Sequence, residues 1–161
     1  MDFKNVPKEY RPIPFWSWNE KLNVKETKAQ IRQMELAGMG GFFMHARGGL
    51  QTEYMKEEWF DNVTTSVETA RECGMRPWAY DENGWPSGFG NGAVNALGAE
   101  YQQKYLRMES EKNHFETAIC KNGNHFFYYE INPFYVDTLD KKVVAKFIEV
   151  AYQPYYEKYG T

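Results

Sequence analysis

Apolar positions along this chain switch between two periods, and the switches mark the elements. Ile13-Pro14-Phe15-Trp16-Ser17-Trp18 is a dense run that predicts a first strand, with Pro12 and Pro14 near its start. Asn23-Val24-Lys25-Glu26 then reads as a capping-box helix start, and Val24, Thr27, Ile31 and Met34 recur at helical spacing as far as Gly38. Gly40-Gly41-Phe42-Phe43-Met44-His45 predicts a second strand, left through the loop Ala46-Arg47-Gly48-Gly49-Leu50. A second helix is expected from about Met55 to Cys73, with Trp59, Val63, Val67 and Ala70 as its stripe and Gly74 as its stop. Arg76-Pro77-Trp78-Ala79-Tyr80 is the third predicted strand.

The two helix-to-strand junctions repeat. Ala37-Gly38-Met39-Gly40-Gly41-Phe42-Phe43 and Cys73-Gly74-Met75-Arg76-Pro77-Trp78-Ala79 both run helix, glycine, Met, strand, 36 residues apart. Alternation of this kind implies a parallel sheet joined by helical crossovers. Beyond it, Ala93, Val94, Leu97, Tyr101, Tyr105 and Met108 predict a helix from Gly92 to about Lys112. Phe115–Ile119 and Phe126–Ile131, flanking Lys121-Asn122-Gly123-Asn124, predict a hairpin inserted at about 113–132. Asp140 caps a last helix carrying Val143, Val144, Phe147, Ala151 and Tyr155, with Pro154 expected to kink it and Gly160 to end it. The fold class expected is therefore α/β: a partial (β/α)8 TIM barrel with three βα units and an inserted hairpin, residues 1–161 forming one domain. A closed barrel takes about 250 residues, so the pattern reads as the first part of one. Its open sheet edges are expected to be covered by self-association.

Composition narrows the partners. The net charge is −3, which gives no basic footprint for nucleic acid. No apolar run approaches the ~20 residues that cross a bilayer, and the opening residues, Met1 to Pro7, lack the apolar stretch of a signal peptide. Cys73 and Cys120 do not make a disulfide framework, so a cytoplasmic protein with reduced thiols is expected. Aromatic residues make up 17% of the chain, which suits either a core of large side chains or a sugar-stacking cleft.

Candidate chemistry collects where predicted strands end, the place at which α/β folds carry ligands. Tyr80-Asp81-Glu82-Asn83-Gly84-Trp85-Pro86-Ser87-Gly88 puts two adjacent carboxylates before an aromatic in a Gly/Pro-rich turn. Glycoside hydrolysis uses two carboxyl groups, about 5–9.5 Å apart. Neighbours on an extended strand point to opposite faces, so Asp81 and Glu82 do not form that pair with each other. Glu82 is favoured as the catalytic carboxylate, with Asp81 beside it in the site; the competing reading is a cap for the following turn. His45 and Arg47, two residues apart at the end of the second strand, are candidates for hydroxyl binding, against a structural Arg47–Asp81 or His45–Glu82 pair. Trp16, Trp18 and Trp85 are stacking candidates, Trp85 above the others because it sits in the loop. A metal is not expected, since there is one strand-end His and no His pair, and no cofactor is called for.

Pro14-Phe15-Trp16-Ser17-Trp18-Asn19, Gly40–Leu50, Tyr80–Gly88 and Tyr135-Val136-Asp137 together resemble the N-terminal barrel region of bacterial α-L-rhamnosidase-like glycoside hydrolases, family 106 and its uncharacterised relatives. The resemblance implies a (β/α)8 catalytic domain in a longer protein, whose later strands carry further acidic residues. The expectation is thus a partial active site: a saccharide bound at strand ends, with carboxyl acid/base hydrolysis belonging to the complete barrel. The alternatives are a carbohydrate-binding or vestigial protein without chemistry, and a metal-dependent hydrolase using His45, Asp81 and Glu82.

Overall fold

The computed structural model describes residues 4–88, 90–110 and 118–160. The alternation of βα units holds from the start of the chain to the third strand. Strand β1 (Phe15–Trp18) leads to helix α1 (Val24–Leu36), β2 (Gly41–Ala46), helix α2 (Glu57–Cys73) and β3 (Arg76–Ala79). The strands form one parallel sheet in the order β1-β2-β3. Phe15 pairs with Phe43 and Ser17 with His45 on one side of the centre, and Phe43 with Trp78 on the other.

Each boundary has a local cause. The Asn23 side chain accepts the N–H groups of Lys25 (2.9 Å) and Glu26 (3.4 Å), which fixes the start of α1. Gly38 and Gly74 end the two helices at φ +82° and +60°, a region that favours glycine. Gly41 meets a different demand. A Cβ there would lie 2.2 Å from the carbonyl oxygen of Arg76, so β2 and β3 approach only because no side chain intervenes. Between the helices, Thr27 donates to Asn62 at 2.8 Å, a buried hydrogen bond joining α1 to α2.

Compact packing divides the chain into two units, one ending at Trp85 and the other beginning at Pro86, where the sequence pattern predicts a single domain. The second unit departs from the βα rhythm. A helix is expected from Gly92 to Lys112; instead Asn95–Leu97 makes one 3-10 turn, and Gln102–Glu109 is a strand, β4. Gly98, at φ +129°, stops the turn. From Tyr105 onward the residues alternate: Leu106 and Met108 take one face, Tyr105, Arg107 and Glu109 the other. That period of two is satisfied by pairing with a strand that is not local in sequence, as Tyr105 with Glu130 and Glu109 with Phe126. The last expected helical positions, 111–112, lie outside the described residues.

The Asn-Gly hairpin is present. Strand β5 (Cys120–Asn122) turns through Gly123, at φ +58°, into β6 (His125–Val136). Most of the expected first arm, Phe115–Ile119, falls outside the described residues. The sheet is antiparallel with order β4-β6-β5, so the hairpin is two strands of a three-stranded sheet rather than a free insertion. Pro133 lies where the β4–β6 register jumps, between the Gln103–Asn132 and Gln102–Val136 pairs; it has no N–H to give a ladder there. Asp140 caps helix α3 (Lys141–Ala151), and α4 (Gln153–Tyr159) follows after a break at Tyr152. Pro154 sits in the first turn of α4, where its missing N–H costs nothing, so it starts a helix instead of kinking one. Val94, Val136 and Val143 form the core of this unit, packed by Tyr101, Tyr135, Phe147 and Val150. No helix among the described residues is long and apolar enough to cross a membrane.

Candidate functional site

The pleat of the parallel sheet sorts its side chains into two sets. Trp16, Trp18, Phe42 and Met44 face the helices. Trp18 is buried and meets Trp59 of α2 edge-on, with ring centroids 5.0 Å apart. Trp16 packs edge-on to Phe42 at 5.4 Å, and its indole N–H donates to Gln30 of α1 at 3.0 Å. Trp16 and Trp18 do share a face, as the two-residue spacing requires, but it is the face that holds sheet to helices. Their bulk serves the packing of sheet on helices, Trp18 buried and Trp16 half-buried.

Phe15, Ser17, Phe43, His45, Trp78 and Tyr80 take the opposite face. The register sets them in two rows, Phe15-Phe43-Trp78 and, nearer the C-terminal ends, Ser17-His45-Tyr80. Phe43 stacks on Trp78 at 5.7 Å, and Phe15 leans on Phe43 at the same separation. These aromatics escaped the sequence reading as site candidates. The signal was available in the parity of positions 15, 43, 78 and 80, but parity alone does not say which face the helices cover.

His45 is at the centre of the second row. It is 2% exposed, with the Phe15 ring edge-on at 4.5 Å and the Tyr80 ring at 4.1 Å. Neither ring nitrogen has a hydrogen-bond partner among the described residues. A buried polar group left this way costs about 1–3 kcal/mol. Burial pushes the His45 pKa below the usual histidine value; the Arg47 charge acts in the same direction and the Asp81 charge opposes both. The imidazole is therefore held neutral, with one donor and one acceptor edge.

The loops beyond the strands bring the charged candidates to this end. Arg47 is exposed just past β2, its N–H donating to the Trp18 carbonyl at 2.9 Å. The loop after it folds against the one after β1: Gln51 N–H donates to the Glu20 carbonyl, Leu22 N–H to Thr52 Oγ1, and a Cβ at Gly49 would lie 2.7 Å from the Asn19 carbonyl oxygen. Asp81 is half-buried past β3. Glu82 is 0% exposed, and its carboxylate accepts the N–H of Asn83 at 2.9 Å. Trp85 is 78% exposed. Arg47 and Asp81 thus both come within electrostatic reach of His45, Glu82 is enclosed in the same loop as Asp81, and Trp16 and Trp18 lie across the sheet. Among the described residues, no three His, Cys, Asp or Glu side chains converge as a metal-binding group.

No family model matches the chain, and no curated protein matches it. Among solved structures, a rhamnosidase from Novosphingobium sp. PP1Y is similar, with a TM-score of 0.53 and 21% identity. The likeness covers 66% of this chain and 10% of the rhamnosidase, so the chain spans about a tenth of that protein's length. At this identity the likeness is one of fold: the chain contains a rhamnosidase-like fold region, and its α/β elements include one parallel and one antiparallel three-stranded sheet.

Proposed function

We propose that this chain is the N-terminal portion of a glycoside hydrolase of TIM-barrel type, binding a saccharide at the C-terminal ends of β1, β2 and β3. The observation that carries the reading is the convergence of His45, Arg47 and Asp81 at one end of a parallel sheet, where α/β folds place ligands. A neutral imidazole, a guanidinium and a carboxylate supply donors and acceptors for several hydroxyls, and the exposed Trp85 ring supplies an apolar surface for sugar C–H groups. The likeness of the fold to a rhamnosidase supports the same class.

In this reading Asp81 is preferred over Glu82 as the carboxylate of the site. Its half-burial and its charge bearing on His45 support that role for Asp81, and the enclosure of Glu82 with its bond to the next backbone N–H supports a part in anchoring the loop. Hydrolysis needs a second carboxyl group at 5–9.5 Å or so, which belongs to the remaining strands of the barrel. The expected result is binding without turnover: rhamnosides change the tryptophan emission of the chain, and p-nitrophenyl α-L-rhamnoside is not cleaved. Asp81→Asn should weaken binding about tenfold, the loss of one charge-assisted hydrogen bond. Absence of binding across a panel of glycosides would refute the site. Turnover that vanishes in Glu82→Gln would restore Glu82 to the chemistry. A carbohydrate-binding role without hydrolysis is the second reading, and the enclosure of Glu82 favours it.

A further inference from the structure

We propose that Phe15 is a movable cover on His45, and that the imidazole becomes a hydrogen-bonding group for a sugar hydroxyl when that ring swings aside. This rests on the saccharide reading above. Three observations lead to it. His45 is almost wholly enclosed, and both of its ring nitrogens are shut away from solvent without a partner among the described residues. A histidine with no structural bond to make, placed in the row nearest the ligand end of a parallel sheet, has a use only when something reaches it.

The cover itself is asymmetric. Tyr80 lies against the imidazole at 4.1 Å and is half-buried, continuing the β3 register through its N–H bond to the Met44 carbonyl at 3.0 Å. Phe15 lies against the other side at 4.5 Å but is 53% exposed, on a strand that among the described residues has a neighbour on one side only. Turning the Phe15 ring about χ1 therefore gives up contacts with His45, Tyr80 and Phe43 and opens no core behind it. Such rotations are fast. The neutral state of the imidazole fits the occupant: one donor and one acceptor match a hydroxyl of an uncharged sugar, which is both.

The test reads the accessibility of His45 directly, on the full chain, by diethyl pyrocarbonate labelling followed by peptide mass mapping. The exposed His125 serves as an internal reference. In the unaltered protein His45 should label far more slowly than His125. Phe15→Ala should raise the His45 rate roughly tenfold or more, since local opening governs reactivity, while leaving His125 unchanged; Phe15→Tyr should restore protection. A His45 rate in Phe15→Ala equal to that of the unaltered protein, in a variant that still unfolds cooperatively, would overturn the cover. L-rhamnose should then protect His45 in Phe15→Ala. If it does not, the ligand role assigned to the imidazole falls, and rhamnose-induced tryptophan emission that disappears in Trp85→Phe would show the saccharide reading surviving without it.

Discussion

His45 gives the chain a pH response that separates it from the carboxylates. Its pKa is depressed in the folded state, chiefly by burial. Above the unfolded value of about 6.5 the imidazole is neutral in both states and contributes nothing. As pH falls below that value the unfolded chain takes up a proton that the folded chain refuses, and stability drops until the folded pKa is passed. Asp137 behaves differently: the Lys104 ammonium at 2.9 Å, with backbone N–H groups, holds its carboxyl below the usual range, so its contribution is lost only at more acid pH. Between pH 7.5 and 5.5 the unaltered protein should therefore lose several degrees of Tm, and His45→Phe should flatten the slope. An unchanged slope in that variant, measured by calorimetry across the two pH values, would remove His45 as its source. At this scale the sequence was informative about residue type and blind to orientation. Strand-end position put His45, Arg47 and Asp81 among the candidates, and the charges of Arg47 and Asp81 both act on His45. Nothing in the spacing told which pleat face the helices would take, and that choice turned Trp16 and Trp18 into packing residues and brought Phe15 and Tyr80 to the imidazole.

Elements held by local chemistry were legible; those held by a distant partner were not. The start of α1 was visible because Asn23 caps it by itself. Asn23→Ala should lower stability by about 1 kcal/mol, within the 0.5–2 range of N-caps, or about 2–4 °C in Tm for a chain of this size. Helix β-sheet junctions at Gly38 and Gly74 were visible for the same reason. Strand β4 was misread as helix because Tyr101, Tyr105 and Met108 stand at helical i, i+4, i+7 spacing although Tyr105 and Met108 take opposite faces of the strand, and its true determinant is β6, remote in sequence. The central pairing carries a sharper expectation. Gly41→Ala sets a methyl 2.2 Å from the Arg76 carbonyl oxygen in mid-sheet, and backbone cannot yield there as a long side chain would. The cost should be about 2–4 kcal/mol, among the larger effects of single substitutions, seen as a lowered urea midpoint. Because β3 carries Asp81 past β2, the same variant should also blunt the glycoside-induced change in tryptophan emission. A Gly41→Ala chain as stable as its parent would mean that β2 and β3 are not held as closely as the register implies.

At the scale of the whole molecule, the parallel sheet has a helix-covered face and an aromatic one, and it ends in a strand on each side. Among the described residues strands β1 and β3 each have one neighbour in the sheet, so each presents a row of backbone groups to pair. On the aromatic face Phe15 is more than half exposed and Trp78 nearly so. An apolar face between two open edges associates more readily than a scatter of single exposed residues. The chain on its own should therefore self-associate, with light scattering giving a mass above the 19.0 kDa of one copy that rises with concentration. Trp78→Lys sets a charge on the β3 side of that face while leaving the helix side untouched, and it should return the protein towards a single copy without lowering its urea midpoint. Leu36→Lys changes an equally apolar and still more exposed position on α1, and it should leave association unchanged. A parent chain that stays at 19.0 kDa across the concentration range, or a Leu36→Lys variant as effective as Trp78→Lys, would separate the aromatic face from association.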